Sequence, residues 1–165
     1  ETFFNDFETF KSLDLVWTPQ KDKLFFENVL FTLWQIDERE EAGTPEGWGV
    51  SFSATGTIND TLLAFIRGGW ADDGGSILEA SISAGLGYQR EPGGDVLGVG
   101  LNWGRPNSDT FGPGLDDQFT SEVYYRWQVA QHLQVTPSVQ FLGNPALNPD
   151  DDFIAVFGVR ARVIF

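Results

Sequence analysis

The sequence contains no cysteine and no methionine, and its 10 Lys and Arg residues stand against 24 Asp and Glu residues. The absence of cysteine excludes disulfides, thiolate metal sites and cysteine nucleophiles. The net charge of −14 argues against nucleic acid as a partner, because binding a polyphosphate requires a basic patch that releases counterions. No apolar run approaches the roughly 18 to 20 residues of a membrane helix, which excludes a helical membrane protein.

Apolar residues make up 41% of the chain and aromatic residues 15%, a composition too rich for a disordered chain. From residue 11 onward the apolar residues recur at every second position, which is the period of a β-strand. The clearest case is 153–165, where Phe153, Phe157 and Val163 share one face and Arg160 and Arg162 lie on the other. This pattern predicts an all-β, antiparallel fold.

Nine strands are predicted by this alternation, at 12–18, 24–37, 47–58, 61–70, 77–90, 95–104, 118–129, 132–142 and 153–165. Most of them exceed the average of about five or six residues in soluble proteins and approach the length of about ten that a tilted membrane-spanning strand needs. The segment 24–37 is apolar on both faces. Residues 1–10 carry Phe3, Phe7 and Phe10 at helical spacing, which predicts a short helical turn.

The connections alternate between short and long along the chain. The short ones are 19–23, 59–60, 91–94 and 130–131, and the longer ones are 38–46, 71–76, 105–117 and 143–152. Aromatic residues on the apolar faces lie near the long loops (Trp48, Trp70, Trp103, Phe153) and near the short turns (Trp17, Tyr88, Trp127, Phe165). Such loop asymmetry and two aromatic girdles are typical of transmembrane β-barrels of the outer membrane.

An odd number of strands conflicts with the even number that a closed antiparallel barrel with both termini on the periplasmic side requires. The sequence also starts at Glu1 without a methionine or a leader. We therefore expect residues 1–165 to form a single domain that is the C-terminal portion of a larger barrel.

Several stretches carry a family resemblance: FTLWQIDERE (31–40), AFIRGGWADDGG (64–75), GLGYQ (85–89), DVLGVGLNWGRP (95–106), the run 117–149 containing EVYYRWQ and LQVTPSVQ, and GVRARVIF (158–165). In this order they resemble the OprB-type carbohydrate-selective porins of Gram-negative outer membranes. The resemblance implies a sixteen-stranded barrel, of which this chain is about the second half, whose lumen passes small sugars by diffusion.

The partners expected from this resemblance are small carbohydrates, outer-membrane lipid and lipopolysaccharide, and the barrel is a monomer or a homotrimer. The final strand resembles the C-terminal signature that the outer-membrane assembly machinery reads. Phe165 is accordingly predicted to be an assembly signal, with a place in the aromatic girdle as the alternative.

A pore that prefers sugars needs aromatic platforms beside hydrogen-bonding and charged groups, because a sugar is polar at its hydroxyl edges and weakly apolar on its C–H faces. The residues predicted to line this path are Trp34, Arg67, Glu79, Glu122, Tyr124, Arg126, Gln128, Arg160 and Arg162. As an alternative, the charged ones form ion pairs that stiffen the wall. Trp34 equally fits a lipid-facing position.

Acidic residues cluster in the long loops, for example at 38–46 and 150–152. Carboxylate clusters can hold Ca²⁺, but the spacing matches no EF-hand loop, so a solvated acidic face is favoured and no metal site is assigned. His132 is the only histidine and has no Ser or carboxylate at a catalytic spacing. Neither a cofactor nor an enzymatic activity is expected.

The function predicted from these patterns is passive, sugar-preferring diffusion across an outer membrane. Alternatives from other classes are a soluble β-sandwich that binds carbohydrate or protein, a small closed barrel with an adhesive or structural role, and a lipid-processing barrel enzyme. Dependence on detergent separates the sandwich from the barrels.

Overall fold

The structure, a computed structural model, describes residues 8–19, 27–148 and 150–164. Its elements within these ranges are β1 (Phe10–Trp17), β2 (Asn28–Ile36), β3 (Gly47–Asn59), β4 (Leu62–Asp73), β5 (Leu78–Gln89), β6 (Val96–Pro106), α1 (Ser108–Phe111), β7 (Gln118–Ala130), β8 (Leu133–Gly143) and β9 (Phe153–Val163). Each strand pairs antiparallel with the next, in the order β1 to β9. The nine predicted strands and the all-β class are confirmed.

Some predictions lie outside the described residues. They are most of the helical turn at 1–10, the turn at 19–23 except Pro19, and the start of the second strand at 24–26. Phe10, the last residue of the predicted helical turn, is the first residue of β1. No helix in the described part of the chain is long and apolar enough to span a membrane.

The register of the strands separates apolar from polar side chains. Because successive side chains of a strand point to opposite sides, residues that pair across the sheet share one side. One such row runs across six strands: Ala64, Leu86, Val99, Val123, Val139 and Phe157. The neighbouring row on the opposite side is Phe65, Gly85, Gly100, Glu122, Gln140 and Val156. We call the side of the first row the apolar face and the side of the second row the polar face.

The sheet has almost no buried core within the described residues. Ala71 is the buried hydrophobic residue there, at 8% exposure, whereas Phe157 and Val159 on the apolar face are 81% and 78% exposed. A soluble sandwich buries such side chains against a second sheet. All nine strands lie in one sheet, so the sandwich alternative does not fit the described part of the chain.

The sheet is open. In the described residues β1 pairs with β2 alone and β9 pairs with β8 alone, which leaves an unpaired edge on each side. Closure into a barrel requires partners for both edges, because an open edge presents unpaired backbone N–H and C=O groups.

The antiparallel order places the connections at two ends of the sheet. Residues 60–61, 90–95 and 131–132 connect strands at one end, here called the short-turn end, and 37–46, 74–77, 107–117 and 144–152 lie at the other, the long-loop end. One predicted length was wrong. Because β4 continues to Asp73, its connection to β5 is only 74–77, where Gly74 and Gly75 both have φ of +69°, a conformation that glycine adopts without steric cost.

Side chains at the long-loop end join each loop to its neighbour. Four hydrogen bonds among the described residues do so: Arg39 Nη2 to Gly74 O (3.4 Å), Asn107 Nδ2 to Ser76 Oγ (2.6 Å), Thr110 Oγ1 to Ser76 O (2.8 Å) and Asn144 Nδ2 to Asp117 O (3.3 Å). Asn107 is 1% exposed, and its side-chain oxygen also accepts from the Asp109 N–H at the start of α1 (2.9 Å). The loops are therefore held against one another at this rim of the sheet.

Candidate functional site: a trough on the polar face

Small polar side chains cover much of the polar face. One row across the sheet consists of the small residues Ser53, Ser83, Asn102 and Thr120, with the longer Arg67 between the two serines. Within it, Asn102 Nδ2 donates to Ser83 Oγ at 2.8 Å and to the Ile82 carbonyl at 3.2 Å. Such side chains fill little volume and offer hydroxyl and amide groups to a polar solute.

Four glycines form a depression at the centre of this face. Gly85 and Gly87 of β5 pair with Gly100 and Gly98 of β6, respectively, so the four occupy the corners of one rectangle. A Cβ atom added at Gly87 or Gly100 would meet nothing within 4 Å. We call this group of four glycines the glycine trough.

Two aromatic rings lean over the trough from opposite sides. Phe65 of β4 pairs with Gly85, and a Cβ there would lie 2.5 Å from the Phe65 Cε1 atom. Tyr124 of β7 pairs with Gly98, and a Cβ there would lie 2.6 Å from the Tyr124 hydroxyl. Real Cβ atoms do not come this close, so the rings occupy these positions only because the partners are glycines. Aromatic coverage of cross-strand glycines is a known stabilising device in sheets.

Charged residues flank the trough on both sides. Arg67 lies two residues beyond Phe65 on β4, and its Cζ atom lies 5.2 Å from the centre of the Phe65 ring, within the range of a cation–π contact. Glu122 pairs with Gly100 from the β7 side. The structure thus brings three predicted residues together around the trough: Arg67, Glu122 and Tyr124.

Arg126 lies two residues beyond Tyr124 on the same face. Its Nη2 donates to the Gly94 carbonyl at 3.5 Å. Its Nε is buried and has no hydrogen-bond partner in the described part of the chain. Arg126 therefore borders the trough on the side of the short-turn end.

Gln128, Arg160 and Arg162 form a second polar group nearer the short-turn end. Arg160 and Arg162 of β9 pair with Thr136 and Gln134 of β8. Gln134 Nε2 in turn donates to Gln128 Oε1 at 2.8 Å. All three predicted residues lie on the polar face, but β7 and β8 separate the two arginines of the edge strand β9 from the trough on β5 and β6.

The charged residues predicted for the path form no close ion pairs with other described residues. None of the charged groups of Glu122, Arg67, Arg126, Arg160 and Arg162 lies within 4 Å of an opposite charge there, although the charge of Arg126 contributes to the lowered pKa of Asp95. The alternative that these residues are ion pairs that stiffen the wall is therefore not supported by their geometry.

Trp34 lies on the polar face, which decides between its two predicted orientations. It pairs with Gly49, where a Cβ would lie 2.6 Å from the indole ring, and it stacks on Phe10 with ring centres 6.4 Å apart. Its position is on β2 beside the long-loop end, so it is not part of the trough.

Among the residues predicted to line the path, Glu79 does not lie on the polar face. The pairing of β5 with β6 shifts between Leu78 and Ala80, and the Glu79 carboxylate lies 3.9 Å from Arg105, which in turn lies 5.5 Å from the ring centre of Trp103 on the apolar face. Its predicted place on the polar face is wrong because a β-bulge adds a residue and breaks strict alternation.

Two carboxylates outside the strands hold neighbouring segments together. Asp95 accepts from the Tyr125 hydroxyl (2.5 Å) and the Gln128 N–H (2.8 Å). Asp37 accepts from the Thr9 hydroxyl (2.5 Å) and lies 3.4 Å from the Lys11 ammonium. In each case the hydroxyl donor is the main cause that holds the pKa of the aspartate below its usual value, because it stabilises the ionised form.

Aromatic side chains lie on the apolar face near both ends of the strands, as predicted for all but Phe165, which lies outside the described residues. Trp48 and Trp70 pack edge to face with ring centres 5.0 Å apart, at the long-loop end. The Trp48 and Trp103 indole N–H groups donate to Asp72 (3.1 Å) and Asp117 (3.0 Å), respectively. These two carboxylates thus bind indoles, and no group of three or more His, Cys, Asp or Glu side chains in the described residues converges as a metal site.

A model of the carbohydrate-selective porin, OprB family, matches residues 27–165. The chain belongs to the OprB family. The resemblance found in the sequence is thereby confirmed, and the family consists of transport channels and not of enzymes. No curated protein and no solved structure matches the chain.

Sequence reasoning missed two parts of this porin's trough, the glycines and Phe65. The signal was present, since glycines recur at alternate positions in 85–87 and again in 98–100, on two consecutive predicted strands. Phe65 precedes Arg67 by two residues and therefore shares its face. Only the register, which sets the two glycine pairs side by side, turns these repeats into one depression.

Proposed function

We propose that the chain forms part of an outer-membrane porin barrel through which small carbohydrates diffuse passively. The observation that carries this proposal is a single sheet with an exposed apolar face and a polar face centred on an open trough. Membership in the carbohydrate-selective porin family supports the same assignment.

The apolar face is proposed to contact lipid. An exposed face of this extent is unfavourable in water, whereas the hydrocarbon of a bilayer accepts it. Strands of eight to thirteen residues suit a tilted crossing, and the aromatic residues at both ends suit the two headgroup layers. Lipopolysaccharide and phospholipid are thus the proposed surroundings.

The free edges of β1 and β9 are proposed to be completed by further strands in a sixteen-stranded barrel, in which residues 1–165 act as one domain. The short-turn end then faces the periplasm and the acidic loops face outward. Phe165, which lies outside the described residues, remains proposed as the assembly signal. The barrel is proposed to be a monomer or a homotrimer.

Selectivity is proposed to come from Trp34, Arg67, Glu122, Tyr124, Arg126, Gln128, Arg160 and Arg162 on the polar face. Arginines and a carboxylate that form no close ion pair within the described residues are able to hydrogen-bond sugar hydroxyls with charge-assisted strength. No turnover and no cofactor are part of this proposal.

Liposome swelling with the full-length protein tests the proposal. We expect Arg126→Ala and Arg160→Ala to reduce the influx of a neutral sugar more than that of an amino acid of similar size, because each removes a donor for hydroxyl groups. Arg90→Ala, in the turn at the short-turn end, is the matched control and is expected to leave the ratio unchanged.

Equal changes for both solutes would make the barrel a general pore. A complete absence of swelling by the unmodified protein would contradict the porin assignment and favour an adhesive or structural barrel instead.

A further inference from the structure

The glycine trough has two covered and two open corners. Phe65 covers Gly85 and Tyr124 covers Gly98, while Gly87 and Gly100 stay open. Since Gly85 pairs with Gly100 and Gly87 with Gly98, the covered corners are diagonal to each other, at positions about 7–8 Å apart. The two open corners lie on the other diagonal, between the strands that carry the two rings.

Each open corner has two cross-strand neighbours, one of which is a glycine covered by an aromatic ring. Gly100 lies between Gly85, which Phe65 covers, and Glu122 of β7. Gly87 lies between Leu63 of β4 and Gly98, which Tyr124 covers. A solute over the open corners therefore meets an aromatic carbon surface at both ends and a carboxylate at its side.

The chemistry of these neighbours favours a cyclic solute. A ring-form sugar carries its hydroxyl groups around its edge and presents C–H groups on its faces, so it matches hydrogen bonds at the side and aromatic carbon at the ends. An open-chain polyol has the same hydroxyl groups but no fixed C–H face. It therefore gains the hydrogen bonds without the aromatic contacts.

We propose that the glycine trough is a subsite for the ring form of a sugar, with Phe65 as the residue that discriminates cyclic sugars from open-chain polyols. This inference rests on the proposed function and deepens it. Phe65 has no polar side-chain atom, so its contribution is made by contact with C–H groups alone. Tyr124 supplies the second ring, and Glu122 accepts from hydroxyl groups.

Ion-current block in planar bilayers tests this inference with the full-length protein. Glucose and its open-chain counterpart sorbitol are titrated separately, and the concentration of each that halves the blockable current is measured. We expect glucose to act at a lower concentration than sorbitol. Phe65→Leu and Tyr124→Leu should each raise the half-blocking concentration of glucose about two- to tenfold, the range of an aromatic contact. The half-blocking concentration of sorbitol should change little.

The chain offers a matched control on the apolar face. Phe52 leans over Gly68 in the same manner, with a Cβ at Gly68 lying 2.6 Å from the Phe52 ring. Phe52→Leu therefore removes an equivalent ring-over-glycine contact away from the trough. We expect it to leave the glucose-to-sorbitol ratio unchanged.

Gly100→Val provides a second variant that does not disturb the rings. Because a Cβ there meets nothing within 4 Å, the variant should fold and fill an open corner, lowering the preference for glucose. Equal half-blocking concentrations for the two solutes in the parent, or an unchanged ratio in Phe65→Leu and Gly100→Val, would overturn the subsite. The sugar-to-amino-acid swelling ratio of the same proteins then shows separately whether the proposed function stands.

Discussion

The apolar and polar faces belong to the same nine strands but differ in how their side chains fill space. Across the row from Ala64 to Phe157 every residue is apolar and several are bulky, whereas the adjacent row on the other face contains Gly85 and Gly100 side by side. On the apolar face the side chains spread outward and remain exposed. On the polar face, small residues leave room for a solute.

Both faces use the same packing of a ring over a glycine, with different consequences. Phe52 over Gly68 adds to a continuous apolar surface, and Phe65 over Gly85 adds one aromatic surface to a polar one. A local packing motif therefore does not specify a function. The surroundings of the ring decide whether it contacts lipid or lines a solute path.

The largest expected effect comes from a charge on the apolar face. Val123, between Val99 and Val139, lies near the middle of β7. Val123→Lys should cost about 2–4 kcal/mol of folding free energy in lipid, as lysine does near the bilayer midplane. Urea titration of folding in lipid vesicles measures this cost.

Gln140→Lys is the matched control on the polar face, because Gln140 pairs with Glu122 and the new cation points to the aqueous side. We expect little change in stability. Should Gln140→Lys be the more destabilising of the two variants, the assignment of the faces is reversed.

A smaller effect is expected from Gly49→Ala, beneath Trp34. The added Cβ would lie 2.6 Å from the indole and from the Trp70 carbonyl oxygen, so something must shift, and overpacking of this kind costs about 1–3 kcal/mol. Gly56→Ala in the same strand meets nothing within 4 Å and should stabilise by about 0.5–1 kcal/mol. Similar unfolding midpoints for both variants would contradict the placement of Trp34 on the polar face.

The smallest expected effect concerns pH. Since the pKa of Asp95 is held below its usual value in the folded protein, its ionised form stabilises the fold above the unfolded pKa of about 3.9. This contribution is lost as the pH falls through the folded pKa. Asp95→Asn should therefore unfold more readily than the parent at pH 7, with the difference shrinking below about pH 4.

Unfolding in detergent at several pH values measures this difference. Asp60→Asn, in the neighbouring turn of the short-turn end, is the control, because no hydrogen bond of the Asp60 side chain is found in the described part of the chain. A constant difference between Asp95→Asn and the parent at all pH values would contradict the assigned role of Asp95.

The strands, their two faces and the family can be read from the amino-acid sequence. Alternation is a local property with a period of two residues, so Glu122, Tyr124, Arg126, Arg160 and Arg162 could be assigned to the polar face without coordinates. The family stretches, such as DVLGVGLNWGRP, are equally visible in the sequence, and the match over residues 27–165 agrees with them.

Which residues of one face are neighbours depends on how the strands pair. Register depends on pairing between distant segments, and a single extra residue moves the following side chains to the other face. For that reason the alternation assigned Glu79 to the wrong face, because a β-bulge lies at its position. The face of Trp34 could not be assigned from the sequence, because the segment 24–37 is apolar on both faces. For the same reason the glycine trough, with Phe65 and Tyr124 leaning in from strands β4 and β7, emerged from the pairing of β5 with β6.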